Sequence, residues 1–170
     1  MASDVIAGRV WRFGDDVSTD LLSPGEYAIA PLEVRKRHCL ESLNPRFPVE
    51  VEAGDLVVAG RNFGCGSSRE SAPEALQALG VACVIAESFA RIFLRNAVAI
   101  GLPVLACPGV AAAFENGDRA EVDLASGEVR NATSSSVLRG EPLPPEMREI
   151  LGAGGILAAL AVARQGSDTL

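Results

Sequence analysis

Short apolar runs alternate with helix-like patterns through the middle of the chain, and this alternation constrains the fold most. Residues 55–60, 81–86 and 102–105 are nearly continuous apolar segments, a pattern typical of strands that are buried on both faces. Segments with helical spacing lie between them. Because parallel strands are joined by crossover helices, the pattern predicts an α/β layered domain with parallel strands at its centre.

The crossover segments predict two helices. Apolar residues at helical spacing from position 72 to position 79 indicate an amphipathic helix that begins near Ser67 or Ser68. The second helix is expected to be capped by Ser88 and to end at Gly101. Elsewhere we expect a strand over residues 5–13, a hairpin turn at 125–127, and helices over 31–43, 144–151 and 156–164.

The composition bounds the size and surroundings of the domain. Of the 170 residues, 48% are hydrophobic and 22% are charged, so we expect one packed domain over residues 1–170, with flexible tails at 1–4 and 165–170. The net charge of −7 argues against a nucleic-acid partner. No apolar run reaches the roughly 20 residues needed to cross a membrane, and no basic and apolar leader follows Met1. We therefore expect a cytoplasmic protein with no membrane partner.

The four cysteines are spread along the chain. Cys39, Cys65, Cys83 and Cys107 form no C-x-x-C pair, and His38 is the only histidine. This spacing is poor for a zinc or iron–sulfur site. We expect free thiols rather than disulfides, and no metal ion held by this chain.

A glycine-rich segment follows the first central strand, and we call residues 60–69 the glycine loop. Gly64 and Gly66 allow close backbone approach. Ser67 and Ser68 add hydroxyl groups, and Arg69 adds a planar fork suited to a carboxylate. With the predicted helix N-terminus beside them, these groups indicate a site for an anion.

The common phosphate and hydrolase motifs do not fit the glycine loop. No lysine precedes the serines as a P-loop requires, and the third glycine of a dinucleotide fingerprint is missing. Residues 66–69 form no nucleophile elbow, and the one candidate base, His38, falls in a separate predicted helix. A carboxylate site is favoured, while an ordinary turn with a serine N-cap stays open from the residues alone.

Several motifs resemble the aconitase superfamily. Residues 64–70, Gly-Cys-Gly-Ser-Ser-Arg-Glu, are similar to the G-x-G-S-S-R-E signature of the aconitase swivel domain. Residues 15–20 resemble the D-D-x-x-T-D loop of that family and residues 88–92 its S-F-A-R-I segment, and Asn96 and residues 101–103 match in order. The resemblance covers about residues 8–157. The short length is similar to the free-standing small subunits of isopropylmalate dehydratase and homoaconitase.

This resemblance implies a swivelling β/β/α fold and a set of site residues. By position, Ser67 is the implied catalytic base and Asp20 the implied active-site aspartate. Gly66, Ser68 and Arg69 are implied to bind a substrate carboxylate. Dehydration of a 2-hydroxy acid also needs a Lewis acid on the leaving oxygen. The resemblance assigns that role to a [4Fe–4S] cluster in a large partner subunit, with none bound by this chain.

The implied activity is that of a hydro-lyase which works only with its large subunit. The expected substrate is a small 2-hydroxy di- or tricarboxylic acid. The leading candidate is 3-isopropylmalate, an intermediate of leucine biosynthesis. A homoaconitase-like or 2,3-dimethylmalate-type dehydratase is the alternative within this class. A carboxylate-binding regulatory module without catalysis is the alternative from a different class.

The 23–31 loop is where the resembled family sets specificity for the substrate side chain. The specificity residues implied here are Glu26, Tyr27, Ala28, Ile29 and Ala30. Many relatives have arginine where Glu26 stands, and histidine where Ser71 follows the signature. With no arginine among these residues and a carboxylate at Glu26, the loop is expected to favour an uncharged alkyl substituent.

Overall fold

The computed structural model describes residues 4–167, and a seven-stranded sheet lies at their centre. The strand order is β4-β3-β2-β1-β5-β6-β7. The strands are β1 (Val5–Arg12), β2 (Leu56–Ala59), β3 (Cys83–Ala86), β4 (Val104–Ala106), β5 (Arg119–Asp123), β6 (Glu128–Asn131) and β7 (Ser136–Arg139). The three predicted central runs are β2, β3 and β4, and the predicted hairpin joins β5 to β6.

The sheet has two halves that differ in strand direction. In the parallel half, β1 to β4, Val10 is aligned with Leu56, and β2, β3 and β4 pair in the same direction. In the antiparallel half, β5 to β7, the strands form a meander that attaches to the other edge of β1, where Ile6 is aligned with Val122. The parallel centre predicted from the sequence is confirmed.

Hydrophobic side chains fill both faces of the parallel half, because successive strand residues point to opposite faces. On one face, alternate residues such as Val57 and Val84 pack against α4 and α5, the helices over Ser71–Ala78 and Arg91–Ile100. On the other face, residues such as Val58 and Ile85 pack against the antiparallel half. The order of layers is helices, parallel strands and antiparallel strands. This arrangement confirms the predicted β/β/α fold.

The remaining helices are short except at the end of the described chain. They are α1 (Thr19–Leu22), α2 (Leu32–Arg35), α3 (Phe47–Glu50), α6 (Val110–Ala113), α7 (Pro145–Ala153) and α8 (Ile156–Ser167), with 3₁₀ turns at Gly25–Tyr27 and Lys36–His38.

The prediction of a single helix over residues 31–43 is wrong. Only α2 and the following 3₁₀ turn are helical there, and Leu40 has a φ of 58°. Cys39 and Leu40 are both fully buried although they are adjacent. The Leu40 N–H donates to Leu21 O at 2.9 Å, so a tertiary contact replaces the bond that would continue the helix.

The predicted start of α4 is also wrong. The helix begins at Ser71, not at Ser67 or Ser68. Pro73 explains the difference, because proline has no N–H and its ring clashes with an earlier carbonyl unless it lies in the first turn. The serines of the glycine loop therefore precede the helix by several residues.

The start of α5 differs from the prediction in the same direction. The helix begins at Arg91, and its N-cap residue, Ala90, makes no side-chain hydrogen bond. Ser88 Oγ instead accepts a hydrogen bond from the Asn62 N–H at 2.8 Å, which joins the segment after β3 to the glycine loop. The predicted end at Gly101 is confirmed, since this glycine adopts the left-handed C-cap conformation with φ of 87°.

The described chain ends in α7 and α8. Among residues 4–167 no single helix is long and apolar enough to cross a membrane, and α7 and α8, bent by 92° at their junction, meet that test only as a pair. Of the predicted tails, residues 1–3 and 168–170 lie outside the described residues. Asp4 O accepts a hydrogen bond from the Leu124 N–H at 2.9 Å, and residues 165–167 belong to α8.

Candidate active site

The glycine loop meets the segment before α1 at the carboxyl ends of β1 and β2. These strands are parallel neighbours, so the segments that leave them lie at one edge of the sheet. The Thr19 N–H donates to Cys65 O at 2.8 Å, and the Gly64 N–H donates to Val17 O at 2.7 Å. Ser18 and Cys65 also form a parallel β-bridge. Two distant parts of the sequence are thus joined by backbone hydrogen bonds.

Two glycines make this close approach possible. Gly64 and Gly66 have φ values of 81° and 104°, which side chains rarely adopt. A Cβ atom on Gly64 would overlap the ring of Phe93, and one on Gly66 would lie 3.1 Å from Thr19 Oγ1. Glycine at both positions brings the following serines against α1.

Ser67 is paired with a threonine that has no role in the sequence-based prediction. Ser67 Oγ lies 3.3 Å from Thr19 Oγ1, and either hydroxyl can donate. Thr19 is only 3% exposed and its backbone is fixed by Cys65, whereas Ser67 is exposed to solvent. A fixed, buried hydroxyl thus orients an accessible one. The signal for Thr19 was its place in the D-D-x-x-T-D motif, directly before Asp20.

Arg69 is held in place by Asp20 and Ser23. Its Nη1 donates to Asp20 Oδ1 at 3.2 Å and to Ser23 O at 3.0 Å. Asp20 Oδ1 also accepts from the Gly25 N–H at 3.0 Å. Within residues 4–167 both hydrogen bonds of the guanidinium use Nη1, which leaves Nε and Nη2 for an anion.

Arg69, rather than a helix N-terminus, supplies the positive charge of the site. α4 begins two residues beyond Arg69, and its N-cap residue, Glu70, carries a negative charge. The Ala72 N–H points to Arg69 O at 3.3 Å, and Pro73 has no N–H to offer. The predicted contribution of the helix dipole to anion binding is therefore smaller than the sequence indicated.

The predicted catalytic and carboxylate-binding residues are open to solvent. Asp20, Gly66, Ser67 and Ser68 are exposed, and Arg69 is partly exposed. The surface brings together hydroxyl groups and one guanidinium without enclosing them. Such an arrangement can bind a carboxylate and hold a hydroxyl beside it.

The 23–31 loop lies next to Arg69. A Cβ atom on Gly25 would be 3.5 Å from Arg69 Nη2. Tyr27 stacks on His38 with a ring-centroid distance of 3.6 Å and an interplanar angle of 4°. Ile29 is 100% exposed, which is unusual for a large apolar side chain. The loop therefore begins at the guanidinium and carries an uncovered apolar residue at its far side.

Comparison with known proteins assigns the family. The aconitase C-terminal domain model matches residues 36–108. The chain is 54% identical over 156 residues to 3-isopropylmalate dehydratase small subunit 1 of Methanopyrus kandleri, covering 91% of each protein. The methanogen homoaconitase small subunit of Methanothermobacter thermautotrophicus is 50% identical over 154 residues, covering 90% of this chain and 89% of that protein. The chain belongs to the family of isopropylmalate dehydratase and homoaconitase small subunits.

A solved structure of the same family has the same fold. The crystal structure of 3-isopropylmalate dehydratase from Methanocaldococcus jannaschii superposes with a TM-score of 0.89 at 39% sequence identity. The match covers 96% of this chain and 98% of that one. The small-subunit family and the swivel-domain fold predicted from the sequence are both confirmed.

The thiols of this small subunit do not form a set of cluster ligands. All four cysteines are free, and Cys39, Cys83 and Cys107 are buried. Burial raises the pKa of Cys83 to about 12, and burial together with the Glu87 carboxylate raises the pKa of Cys107 to about 11. Among residues 4–167 no three His, Cys, Asp or Glu side chains are grouped to hold a metal ion. These residues do not fit a [4Fe–4S] cluster as its ligands.

Proposed function

We propose that this chain is the small subunit of a heteromeric hydro-lyase acting on a 2-hydroxy dicarboxylic acid, with 3-isopropylmalate as the first substrate. The observation that carries the proposal is the exposed Ser67 hydroxyl, which the buried Thr19 hydroxyl contacts, in the same loop as the partly exposed Arg69 that Asp20 holds. The names of relatives that are 54% and 51% identical to this chain support the reaction class.

In this proposal Ser67 is the base that removes the proton from carbon. A serine hydroxyl is a weak base, so it needs neighbours that stabilise its deprotonated form. Thr19 Oγ1 can donate to it at 3.3 Å, and the charge of Arg69 lies close by in the glycine loop. Ser68 and the backbone at Gly66 would contact the substrate carboxylate together with Arg69.

Asp20 would act on the site by holding Arg69. Its Oδ1 bonds both the guanidinium and the backbone N–H of Gly25. This holds one nitrogen of the guanidinium and ties it to the start of the 23–31 loop. A preorganised fork loses less entropy when it binds a carboxylate.

A large partner subunit would complete the site. The names of the relatives as small subunits support such a partner, and the open surface around Ser67 leaves room for one. We propose that the partner holds a [4Fe–4S] cluster, which would supply the Lewis acid for the leaving hydroxyl. The residues of this chain then contribute the base and the carboxylate clamp.

The charges near the 23–31 loop support a substrate with an uncharged side chain. Glu26 is exposed in this loop and would repel a further carboxylate. Arg35, the nearest arginine after the loop, donates to Ala30 O and to Glu74, so its charge is already engaged. An alkyl group such as the isopropyl of isopropylmalate fits this environment better than a carboxyalkyl group.

The test is the steady-state kinetics of the complex with an iron–sulfur-loaded large subunit. Ser67→Ala should lower kcat by roughly 10²–10⁴-fold, the usual cost of losing a positioned base. Ser42→Ala, a change at an exposed serine in a turn outside the glycine loop, is the matched control and should leave kcat unchanged. Cys65→Ala should also stay active. Nearly full activity in Ser67→Ala, or its loss in Cys65→Ala, would mean that another residue is the base.

A substrate comparison separates the candidate reactions. The wild-type complex is given isopropylmalate, 2,3-dimethylmalate and homoaconitate separately, and kcat/KM is measured for each. A preference for homoaconitate of tenfold or more, about 1.4 kcal/mol in transition-state binding, would overturn the substrate assignment but leave the hydro-lyase class intact. Carboxylate binding without turnover of any substrate would instead favour a regulatory module.

A further inference from the structure

Arg35 links the far end of the 23–31 loop to α4. This residue ends α2, and its side chain is only 12% exposed. Arg35 Nε donates to Ala30 O at 3.0 Å, and Nη2 lies 3.3 Å from Glu74 Oε2. One side chain thus joins the loop backbone to the helix that follows the glycine loop.

The Ala30 carbonyl is a sensitive point for the shape of the loop. The Ala30 N–H donates to Tyr27 O at 2.9 Å, so the position of Ala30 is coupled to that of Tyr27. At the other end of the loop, Arg69 donates to Ser23 O. The two arginines therefore hold opposite ends of the same loop, one from the glycine loop and one from α2.

Burial keeps Arg35 away from a bound substrate. Its Nη1 is buried and has no hydrogen-bond partner within residues 4–167. An unpaired buried donor opposes folding, which offsets part of what the two bonds contribute. Replacing Arg35 should therefore change the position of the loop more than the stability of the fold.

We propose that Arg35 is a positioning residue that sets the shape of the 23–31 loop and, through it, the preference for the substrate side chain. This inference rests on the proposed function. Arg35 holds Ala30 against α4, so the loop presents one fixed surface to the substituent. Without that link the loop samples several positions and discriminates less between substituents.

The experiment compares Arg35→Met with Arg37→Met in the reconstituted complex. Arg37 is exposed in the adjoining 3₁₀ turn, so it controls for the loss of charge and of hydrogen-bonding groups. Arg35→Met should reduce the kcat/KM ratio of isopropylmalate to homoaconitate about tenfold, chiefly through KM, with kcat within about threefold of wild type. Arg37→Met should keep the wild-type ratio. Amide hydrogen exchange at residues 25–30 should rise only in Arg35→Met.

Glu74→Gln provides a second, milder test, because it removes the ion pair but keeps the bond to Ala30 O. The kcat/KM ratio of isopropylmalate to homoaconitate in Glu74→Gln should fall between the ratios of Arg35→Met and wild type. If Arg35→Met fails to assemble, the kcat/KM ratios of Glu74→Gln and Arg35→Lys test the proposal instead. A wild-type ratio in both variants would overturn the role of Arg35. An inactive wild-type complex would instead defeat the proposed function itself, whereas an active Ser67→Ala would overturn only the assignment of the base.

Discussion

Every residue of β2 and β3 in the parallel half is buried, whereas β7 in the antiparallel half is exposed along most of its length. The segments that follow the strands differ as well. After β2, the Phe63 N–H donates to Ser88 O at 3.0 Å, and the Ala90 N–H donates back to Phe63 O at 2.9 Å. The turn after β5 is held mainly by its own Asp123.

This difference explains why the candidate site lies at one end of the parallel half. Strands covered on both faces cannot shift without opening the core, so the segments that leave them start from fixed points. Those segments bond to each other and hold Ser67 against Thr19. The antiparallel half buries one face of that platform and contributes no residue to the proposed site.

The largest contrast between the halves is expected at two glycines with similar backbone angles. Gly64 has φ of 81° and packs against Phe93, whereas a Cβ atom on Gly117, at 87°, would meet nothing within 4 Å. Gly64→Ala should lower the free energy of unfolding by about 3 kcal/mol, from strain and overpacking together. Gly117→Ala should cost about 1 kcal/mol from strain alone. Urea unfolding of both variants measures the difference, and equal losses would refute it.

A smaller contrast is expected between two aspartates. Burial raises the pKa of Asp55, but hydrogen bonds from Arg9, the Glu52 N–H and Trp11 outweigh it, so the pKa lies below its ordinary value of 3.8. Asp55→Asn should lower the free energy of unfolding by about 2 kcal/mol, because it weakens a buried network. Asp123→Asn should cost below about 1 kcal/mol, since Asp123 caps only a surface turn.

The pH dependence of unfolding provides the check on Asp55. A lowered folded-state pKa means that its stabilisation is present above pH 3.8 and is lost as the pH falls through the folded-state value. The difference in unfolding free energy between wild type and Asp55→Asn should therefore shrink as the pH is lowered from about 6 to below 3.8. A difference that grows on acidification would contradict the assigned cause.

Within the site, replacing Arg69 should act on binding. Arg69→Lys loses the planar fork and part of its attachment to Asp20 and Ser23, so KM should rise about tenfold, with a smaller change in kcat. Arg130→Lys in the antiparallel half is the matched control and should leave both constants unchanged. A fall in kcat at constant KM would show that Arg69 acts in the transition state alone.

The smallest effect is expected on the edge strand. Val137 in β7 is 52% exposed. Val137→Thr keeps the branched shape and should change the free energy of unfolding by less than about 0.5 kcal/mol. A loss of several times that size in thermal unfolding would mean that β7 is covered by a partner or carries more of the core than its exposure indicates.

The parallel half was predictable because its strands are continuous apolar runs separated by helical patterns. β7 could not be predicted in the same way, because Ser136–Arg139 is short and mostly exposed. The prediction of a helix over residues 31–43 failed because the Leu40 N–H bonds to Leu21 O. No local sequence pattern reveals this tertiary contact. The late start of α4 could have been predicted from Pro73 alone, because a proline is tolerated only in the first turn of a helix.

The residues of the candidate site could be proposed from the sequence, but their mutual geometry could not. The motifs of the glycine loop and of residues 15–20 pointed to Ser67, Arg69 and Asp20, which the structure brings to one surface. The pairing of Ser67 with Thr19 spans 48 residues of sequence and depends on β1 and β2 being parallel neighbours. Spacing along the chain cannot reveal such a distance.

The most direct test of the central claim, that this chain carries half of a divided active site, is reconstitution. The purified chain should show no iron–sulfur absorbance and no dehydratase activity. Addition of the cluster-loaded large subunit should produce turnover of isopropylmalate that rises with the amount of small subunit and then saturates. The same titration with Ser67→Ala should saturate over the same range but with kcat roughly 10²–10⁴-fold lower. Stoichiometric iron–sulfur absorbance in the isolated chain, or turnover without the large subunit, would contradict the account.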